Sequence, residues 1–511
     1  MEAITPEEAR ALDENADFLG ISMLQLMESA GRGVVESIIK RRDVKGKKIV
    51  ILAYTGNKGG DGFVIARHLS SLGAHPSVIL LARPEQISSD EAALNYCVVT
   101  KLRASVSIWA APAASDLLLL KDEIDSADIV IDAMLGTGAK GQLREPLKTG
   151  VSLANSSRAY KVAVDIPTGV DASTGVTSGE AFRADLTITH HKVKVGLTEK
   201  PSTDLAGEIE VISIGIPPEA EIYCGPGDLR MALKPRGTYS HKGENGRLLV
   251  IGGSSRYAGA PSLAALAALR LGVDLVTVAV PKSIVHEVRT FSPDLIVVPL
   301  PSDEILDRSC ITSLKKEMES ANAVVIGMGL GLESETKSVV KELSSHIQSK
   351  GIPAVIDADA LKALGELGPS LELKNTVVTP HAGEFFALTG EKLASEREDG
   401  WGERLNAIMK SAIKLKCSVL LKSRYDIITD GYRFKIKTIG NPGMTVGGTG
   451  DVLAGITGAL LARGAGVYNS AVAASFLNSY TGDLLAADTG QRFTARDLIG
   501  AIPKALKELN I

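Results

Sequence analysis

The stretch KKIVILAYTGNKGGDGFVIARHLSSLG, residues 47–73, runs from an apolar segment through a glycine-dense turn into a segment with helical spacing. The apolar part is too short for a buried helix and shows no alternation, which is the pattern of a parallel strand covered on both faces. Strand, glycine turn and helix in immediate succession are the repeating unit of doubly wound α/β sheets. Outward from it, residues 76–82, 106–110, 128–135, 161–166 and 185–190 repeat the apolar run, with helical segments between several of them. Upstream, Thr5-Pro6-Glu7-Glu8 reads as a capping box with proline at the first helical position, and a longer helix is expected from Ser22 to about Arg42. Residues 1–216 are therefore expected to form a Rossmann-like doubly wound α/β/α domain.

A chain of 511 residues is too long for one ordinary core, so a second domain is expected. Residues 217–235 carry four prolines and two glycines without sustained period and read as a linker. Beyond it, residues 236–511 start afresh with GRLLVIGGS (246–254), the helical PSLAALAALRLG and the strand DLVTVAV, so this half is α/β as well. The net charge of −4 offers no basic excess for nucleic acid. Cys97, Cys224, Cys310 and Cys417 lie far apart with no C-x-x-C pair, which argues against a zinc site or a disulfide framework. The polar N-terminus is unlike a secretory leader, and the most apolar stretch, 262–280, is broken by Arg270 and Asp274, so no membrane span is expected. A cytoplasmic setting follows, and assembly as a homo-oligomer is expected.

Three strand ends of the first half carry unusual turns: GNKGGDG (56–62), DAMLGTGAKG (132–141) and VDIPTGVD (164–171). In a doubly wound sheet these would ring one crevice at the carboxyl ends of the strands. The second half holds NPGMTVGGTGDVLAGI (441–456), where glycines precede a helix start, so the amides of Gly448, Thr449 and Gly450 would face an anion. A carboxylate there, Asp451, suits deprotonation of a hydroxyl attacking phosphorus, the alternative being an Asp cap on a tight turn. TPHAGEF (379–385) places His381 and Glu384 at another strand end. His190-His191 is no metal pair, because neighbours on a strand point to opposite faces.

The three turns of the first half resemble the signatures of the YjeF N-terminal family, epimerases of hydrated nicotinamide cofactors, over residues 1–215. By that resemblance Gly56, Asn57, Lys58, Gly59, Gly60, Gly136, Thr137, Gly138, Ala139, Lys140, Gly141, Gln142 and Asp165 would contact the hydrated dinucleotide. Asn57, Asp132 and Thr168 would hold a potassium ion, and Asp165 with Lys140 would form the acid/base pair.

Residues 233–511 are similar to the YjeF C-terminal family of ADP- or ATP-dependent dehydratases, within the ribokinase-like superfamily. The stretches that carry this are SHKGENGRLLVIGGS, YAGAPSLAALAALRLG, VIGMGLG, VIDADAL, TPHAGEF, VLLKS and the glycine-rich helix start. The resemblance implies Ala260, Gly329 or Gly331, and His381 on the hydrated cofactor. It implies Lys422, Ser423, Arg424, Tyr425, Asp426 and Gly450 on ADP with a magnesium ion, and Asp451 at the reacting hydroxyl. Ser423 stands where that family usually has glycine. Together the halves would interconvert the R and S forms of NADHX or NADPHX and dehydrate the S form, releasing AMP and phosphate. The alternative is a ribokinase-like vitamin or sugar kinase fused to a non-catalytic scaffold.

Overall fold

The computed structural model describes residues 3–396 and 400–511, and it separates into two compact units, Met1–Pro217 and Pro218–Ile511. In the first, the seven-stranded sheet comprises β1 (Lys48–Ala53), β2 (His75–Leu80), β3 (Ser107–Ala110), β4 (Ile129–Ala133), β5 (Tyr160–Val164), β6 (Leu186–His190) and β7 (Glu208–Ile212). Their order is β3-β2-β1-β4-β5-β6-β7, parallel throughout. The chain winds one way to β3 and then returns beside β1, so the strand order reverses between β1 and β4, where such sheets open a crevice. Ile49, Ile51 and Leu52 are fully buried, as a strand covered on both faces requires. The edge strand β7 has no counterpart in the sequence-based expectation. Its alternation of glutamates with apolar residues is that of a half-exposed edge, and Arg41 from the helix Met23–Ile39 and its C-terminal turn bonds both Glu208 and Glu210.

The second unit has nine strands: β8 (Arg247–Ile251), β9 (Leu275–Val280), β10 (Ile296–Pro299), β11 (Ala323–Ile326), β12 (Ala354–Ile356), β13 (Thr376–Val378), β14 (Ser418–Leu421), β15 (Asp426–Thr429) and β16 (Phe434–Lys437). The order β10-β9-β8-β11-β12-β13-β14-β15-β16 is parallel up to β14, after which two antiparallel strands complete the edge. The reversal recurs here, between β8 and β11. Two apolar layers cover the faces of this sheet, one built on Val250, Val325 and Ile456 and the other on Ile251, Ile326 and Phe385.

The stretch read as a linker is folded. Pro218–Ile222 and α1 (Pro226–Ala232) are helical and belong to the second unit. Leu229 is fully buried in its core, the Cys224 amide donates to the Ile436 carbonyl, and Asp228 pairs with Lys435 at 2.7 Å in a buried contact. Two of the four prolines that suggested a linker, Pro218 and Pro226, are helix starts, since proline suits the first helical turn. Among the described residues, no helix is long and apolar enough to cross a membrane.

Candidate functional site

In the first unit, α2 (Asn57–Ser71) starts directly after the turn that leaves β1. Its N-cap is Gly56, which offers no side-chain cap, so the first-turn amides are available to a ligand. Glycine at 59 is dictated by space: a Cβ there would lie 2.0 Å from the Tyr54 carbonyl oxygen. A cavity of about 690 Å³ opens at this point, lined among others by Gly56, Asn57, Lys58, Gly136, Thr137, Gly138, Ala139 and Asp165. The first and second turns and Asp165 thus meet in one crevice. Gly59 and Gly60 are buried behind it.

Lys140, Gly141 and Gln142 line an adjoining cavity, of about 590 Å³, which shares Tyr54, Leu135 and Ala139 with the first. The lysine that meets Asp165 is Lys194, buried, whose ammonium bonds the Asp165 carboxylate; the His190 amide and the Thr189 hydroxyl each donate to it at 3.1 Å. Burial opposes ionisation of Asp165, yet Lys194 and its hydrogen bonds hold it well below the ordinary carboxylate range. Asp165 also takes a left-handed backbone conformation, φ 62°, rare for a residue with a Cβ. Around it the acids behave oppositely. Burial and then the Asp165 charge push Asp13 up to about 7, and the same two causes raise Asp61 well above its ordinary value. His190, in the cavity wall, is driven down to about 4 by burial, and its Nε2 finds no hydrogen-bond partner among the described residues. Asp13, Asp61 and Lys194 did not stand out in the sequence, because each lies outside a glycine turn or inside one already read as backbone, and His190 drew notice only as half of a metal pair with His191.

Of the three residues expected to hold potassium, Asp132 and Thr168 are joined to each other and to Lys58. Asn57 is exposed. Asp132 and Thr168 are buried together: the Thr168 amide and hydroxyl donate to the two Asp132 oxygens, each at 2.7 Å. The group among them is Lys58, whose Nζ donates to Asp132 Oδ2 at 3.1 Å, Ile166 O at 2.7 Å, Leu135 O at 3.1 Å and Thr168 Oγ1 at 3.4 Å. Burial pushes the Lys58 ammonium down from its ordinary value and Asp132 works against that.

In the second unit, α3 (Thr449–Ala462) begins one residue earlier than Gly450, with Gly448 at its N-cap in the left-handed region, φ 97°. The Thr449 hydroxyl turns back to donate to Met444 O at 2.8 Å, and no side chain caps the helix. Its first-turn amides are thus left for an anion, as the glycine pattern implies. Asp451 sits in that turn, and burial, then the charge of Asp357, then that of Glu384 against the opposing Lys422, push it up to about 7. Lys422, at the end of β14, donates to Asp357 Oδ1 at 2.8 Å and lies 3.5 Å from Glu384 Oε2. A Cβ at Gly450 would lie 3.6 Å from Lys422 Nζ, so lysine, glycine turn and Asp451 share one locus. Asp357 stands within the VIDADAL motif without having been singled out.

His381 is the N-cap of the helix Ala382–Thr389: its Nδ1 accepts from the Gly383 and Glu384 amides at 3.0 and 3.3 Å, and its ring remains mostly exposed. It has a structural post and an open face at once. Ser423 needs no left-handed backbone, which is why serine replaces glycine there without strain. Asp426 is consumed internally, accepting from the Ser423 amide at 2.9 Å and Ser475 Oγ at 2.7 Å, and it positions the turn from within. Lys437 donates to the Ser423 and Arg424 carbonyls at 3.4 and 3.1 Å, leaving the Arg424 side chain outside over the Tyr425 ring, 5.2 Å from its centroid. At the strand reversal, a Cβ on Gly329 would touch Ala260 Cβ at 3.4 Å and Tyr257 Cβ at 2.7 Å, so those residues form one wall. The Gly331 amide donates to Asp359 Oδ2 at 3.1 Å.

Residues 248–504 match the family model described as NAD(P)H-hydrate dehydratase, and residues 23–196 match that described as YjeF-related protein N-terminus. The chain is 42% identical over 506 residues, 99% of its length and 92% of the relative's, to a bifunctional NAD(P)H-hydrate repair enzyme Nnr of Hyperthermus butylicus. It is 43% identical over 507 residues, 99% and 98% of the two lengths, to the enzyme of the same name from Pyrobaculum aerophilum. A solved ribokinase-like superfamily protein of Enterococcus faecalis covers 56% of this chain and 96% of its own at 26% identity, with a TM-score of 0.50. Identity at this level along both units places the chain in the family of bifunctional NAD(P)H-hydrate repair enzymes.

Proposed function

We propose that the chain restores hydrated nicotinamide cofactors, the first unit epimerising R- and S-NAD(P)HX and the second dehydrating the S form at the expense of ADP or ATP. The observation that carries this reading is Asp451, a carboxyl raised to about 7 in the first turn of an uncapped helix, beside Lys422. A group that holds its proton weakly at neutral pH is matched to taking one from a hydroxyl. The C6 hydroxyl would lose its proton to Asp451 as its oxygen bonds the terminal phosphorus, while the bridging P–O bond breaks and the nucleotide leaves one phosphate shorter, AMP from ADP. The C6–O bond then breaks with phosphate as leaving group, a C5 proton is lost, and the ring double bond returns. The first-turn amides of α3 and Lys422 would hold the phosphates and balance their charge.

No cluster of three or more His, Cys, Asp or Glu among the described residues forms a metal cage. The arrangement fits a magnesium ion carried in on the nucleotide, with Asp357, Glu384 or Asp451 as a single protein ligand, the usual manner of this ion. When bound it would neutralise phosphate charge.

In the first unit Asp165, kept ionised by Lys194, and Asp13, raised to about 7, would form the acid/base pair, with Asp13 in place of Lys140. Carboxyls whose environments drive them apart mark such a division of roles. His190 Nε2 is left to a ligand polar group. Gly136, Thr137, Gly138 and Ala139 with the α2 amides would seat the dinucleotide, and Ala260, Gly329 and the open face of His381 would seat it in the second unit. A cytoplasmic setting belongs to this reading, supported by four cysteines that are all free. So does self-association, which light scattering reads directly. The test is incubation of the full chain with S-NADHX and ADP or ATP, followed at the absorbance of reduced nicotinamide. Recovery of NADH with free phosphate upholds the proposal, whereas a stable phosphorylated product would make the second unit a small-molecule kinase.

A further inference from the structure

The first unit contains four oxygens gathered as a cation site: a carboxylate oxygen of Asp132, the carbonyls of Leu135 and Ile166, and the hydroxyl of Thr168. Two carbonyls, a hydroxyl and a carboxylate are the donor set a hard monovalent ion takes. Lys58 Nζ lies 2.7–3.4 Å from all four, its side chain 4% exposed and that of Asp132 0%. Every oxygen is an acceptor toward it. The Thr168 proton goes to Asp132 Oδ1 at 2.7 Å, and the Leu135 amide donates to the same hydroxyl at 3.0 Å, so Thr168 has only a lone pair to offer Lys58. A neutral amine would turn its own lone pair on one of these oxygens; an ammonium, three donors and no acceptor, turns only donors toward the four, one of them shared between two oxygens.

We propose that Lys58 is a chain-borne cation that occupies the place of a potassium ion, so that the first unit neither needs nor binds one. The lysine is covalently supplied, so the charge that offsets Asp132 and faces the dinucleotide crevice does not depend on ion concentration. This inference rests on reading that crevice as the epimerase site, but its test reads ion binding and stability without any hydrated cofactor, so either can fail alone.

Thermal unfolding of the full chain is compared in potassium chloride and in choline chloride at equal ionic strength, and binding of thallous ion, a spectroscopic stand-in for potassium, is followed by its NMR signal. The wild-type chain should melt within about 1 °C in the two salts and should leave the thallous signal unshifted. Lys58→Asn, which exchanges the ammonium for an amide oxygen, should melt lower in choline and recover by several degrees in potassium, with thallous binding gained; Lys58→Met should lose stability in both salts. Potassium-specific stabilisation of the wild type, or thallous ion bound by it, overturns the proposal, as does a Lys58→Asn chain as stable in choline as the wild type. Should the variant not fold, the wild-type measurements decide alone.

Discussion

At Asp451 the residue's function and its cost to the fold have one cause, removal of a carboxyl from water beside two other acids. With a pKa of about 7, its ionised fraction, and so the rate of dehydration, should climb with pH through neutrality. Asp451→Asn should cut that rate by about 100-fold or more while leaving nucleotide affinity nearly intact, because the amide cradle remains. Stability should move the other way. The folded pKa lies above the ordinary 3.8, so from about pH 4 to 7 the folded chain holds a proton the unfolded chain has lost, and its stability falls as pH rises through that window. The variant, lacking this charge, should melt higher than the wild type at pH 8 and equally at pH 4. Calorimetry at the two values checks the sign.

The decisive elements are helix starts held open by glycine. At the N-cap of α3, Gly448 has φ 97°, and a Cβ would fall 2.7 Å from Leu263 Cδ1 and 2.9 Å from Ala495 Cβ. Gly448→Ala therefore meets both a left-handed backbone penalty of about 1–2 kcal/mol and a clash that only movement of the helix start relieves. Displaced amides should weaken nucleotide binding at least tenfold, measured by titration calorimetry, while Gly464→Ala, past the far end of the same helix, also left-handed at φ 88° but with open space around it, should leave affinity unchanged. The α1 segment offers the contrary case, an element that looked expendable. Without it, Lys435 would lose Asp228 from a buried pair, an omission of about 3–5 kcal/mol.

For the whole molecule the consequence concerns where it can be divided. Residues 236–511, the fragment suggested by the proline-rich stretch, should be poorly soluble or melt well below residues 218–511, since only the longer one keeps Leu229 in the core and Arg230 on the carbonyls of Leu509 and Asn510. Parallel expression and thermal melts decide between them. Each unit has its own sheet and its own apolar layers, so residues 218–511 should convert purified S epimer at near the full rate. Given a mixture, this fragment should stop near the S fraction and then crawl, limited by spontaneous epimerisation, until residues 1–217 are added. Single-phase consumption by the fragment alone would take epimerisation away from the first unit.

What the sequence determined by itself was local: apolar runs of strand length, glycines where backbone must pass closely, and carboxylates beside them. Those features follow from sterics and burial within a few residues, so the two α/β units, the crevice-lining turns, Asp165 and Asp451 were all legible before any coordinate. Tertiary structure decided the rest, which depends on what distant residues bring. Lys58 and Lys140 are equally ordinary lysines beside glycines, yet one is drawn to Asp132, 74 residues along the chain, and the other lines the adjoining cavity. Lys194 reaches Asp165 with no motif of its own, Asp357 and Glu384 raise Asp451 from beyond two different strands, and three of the four prolines became part of the second unit, whose edge strand receives Asp228. Charge neutralisation acts through space, and spacing along the chain holds no record of it.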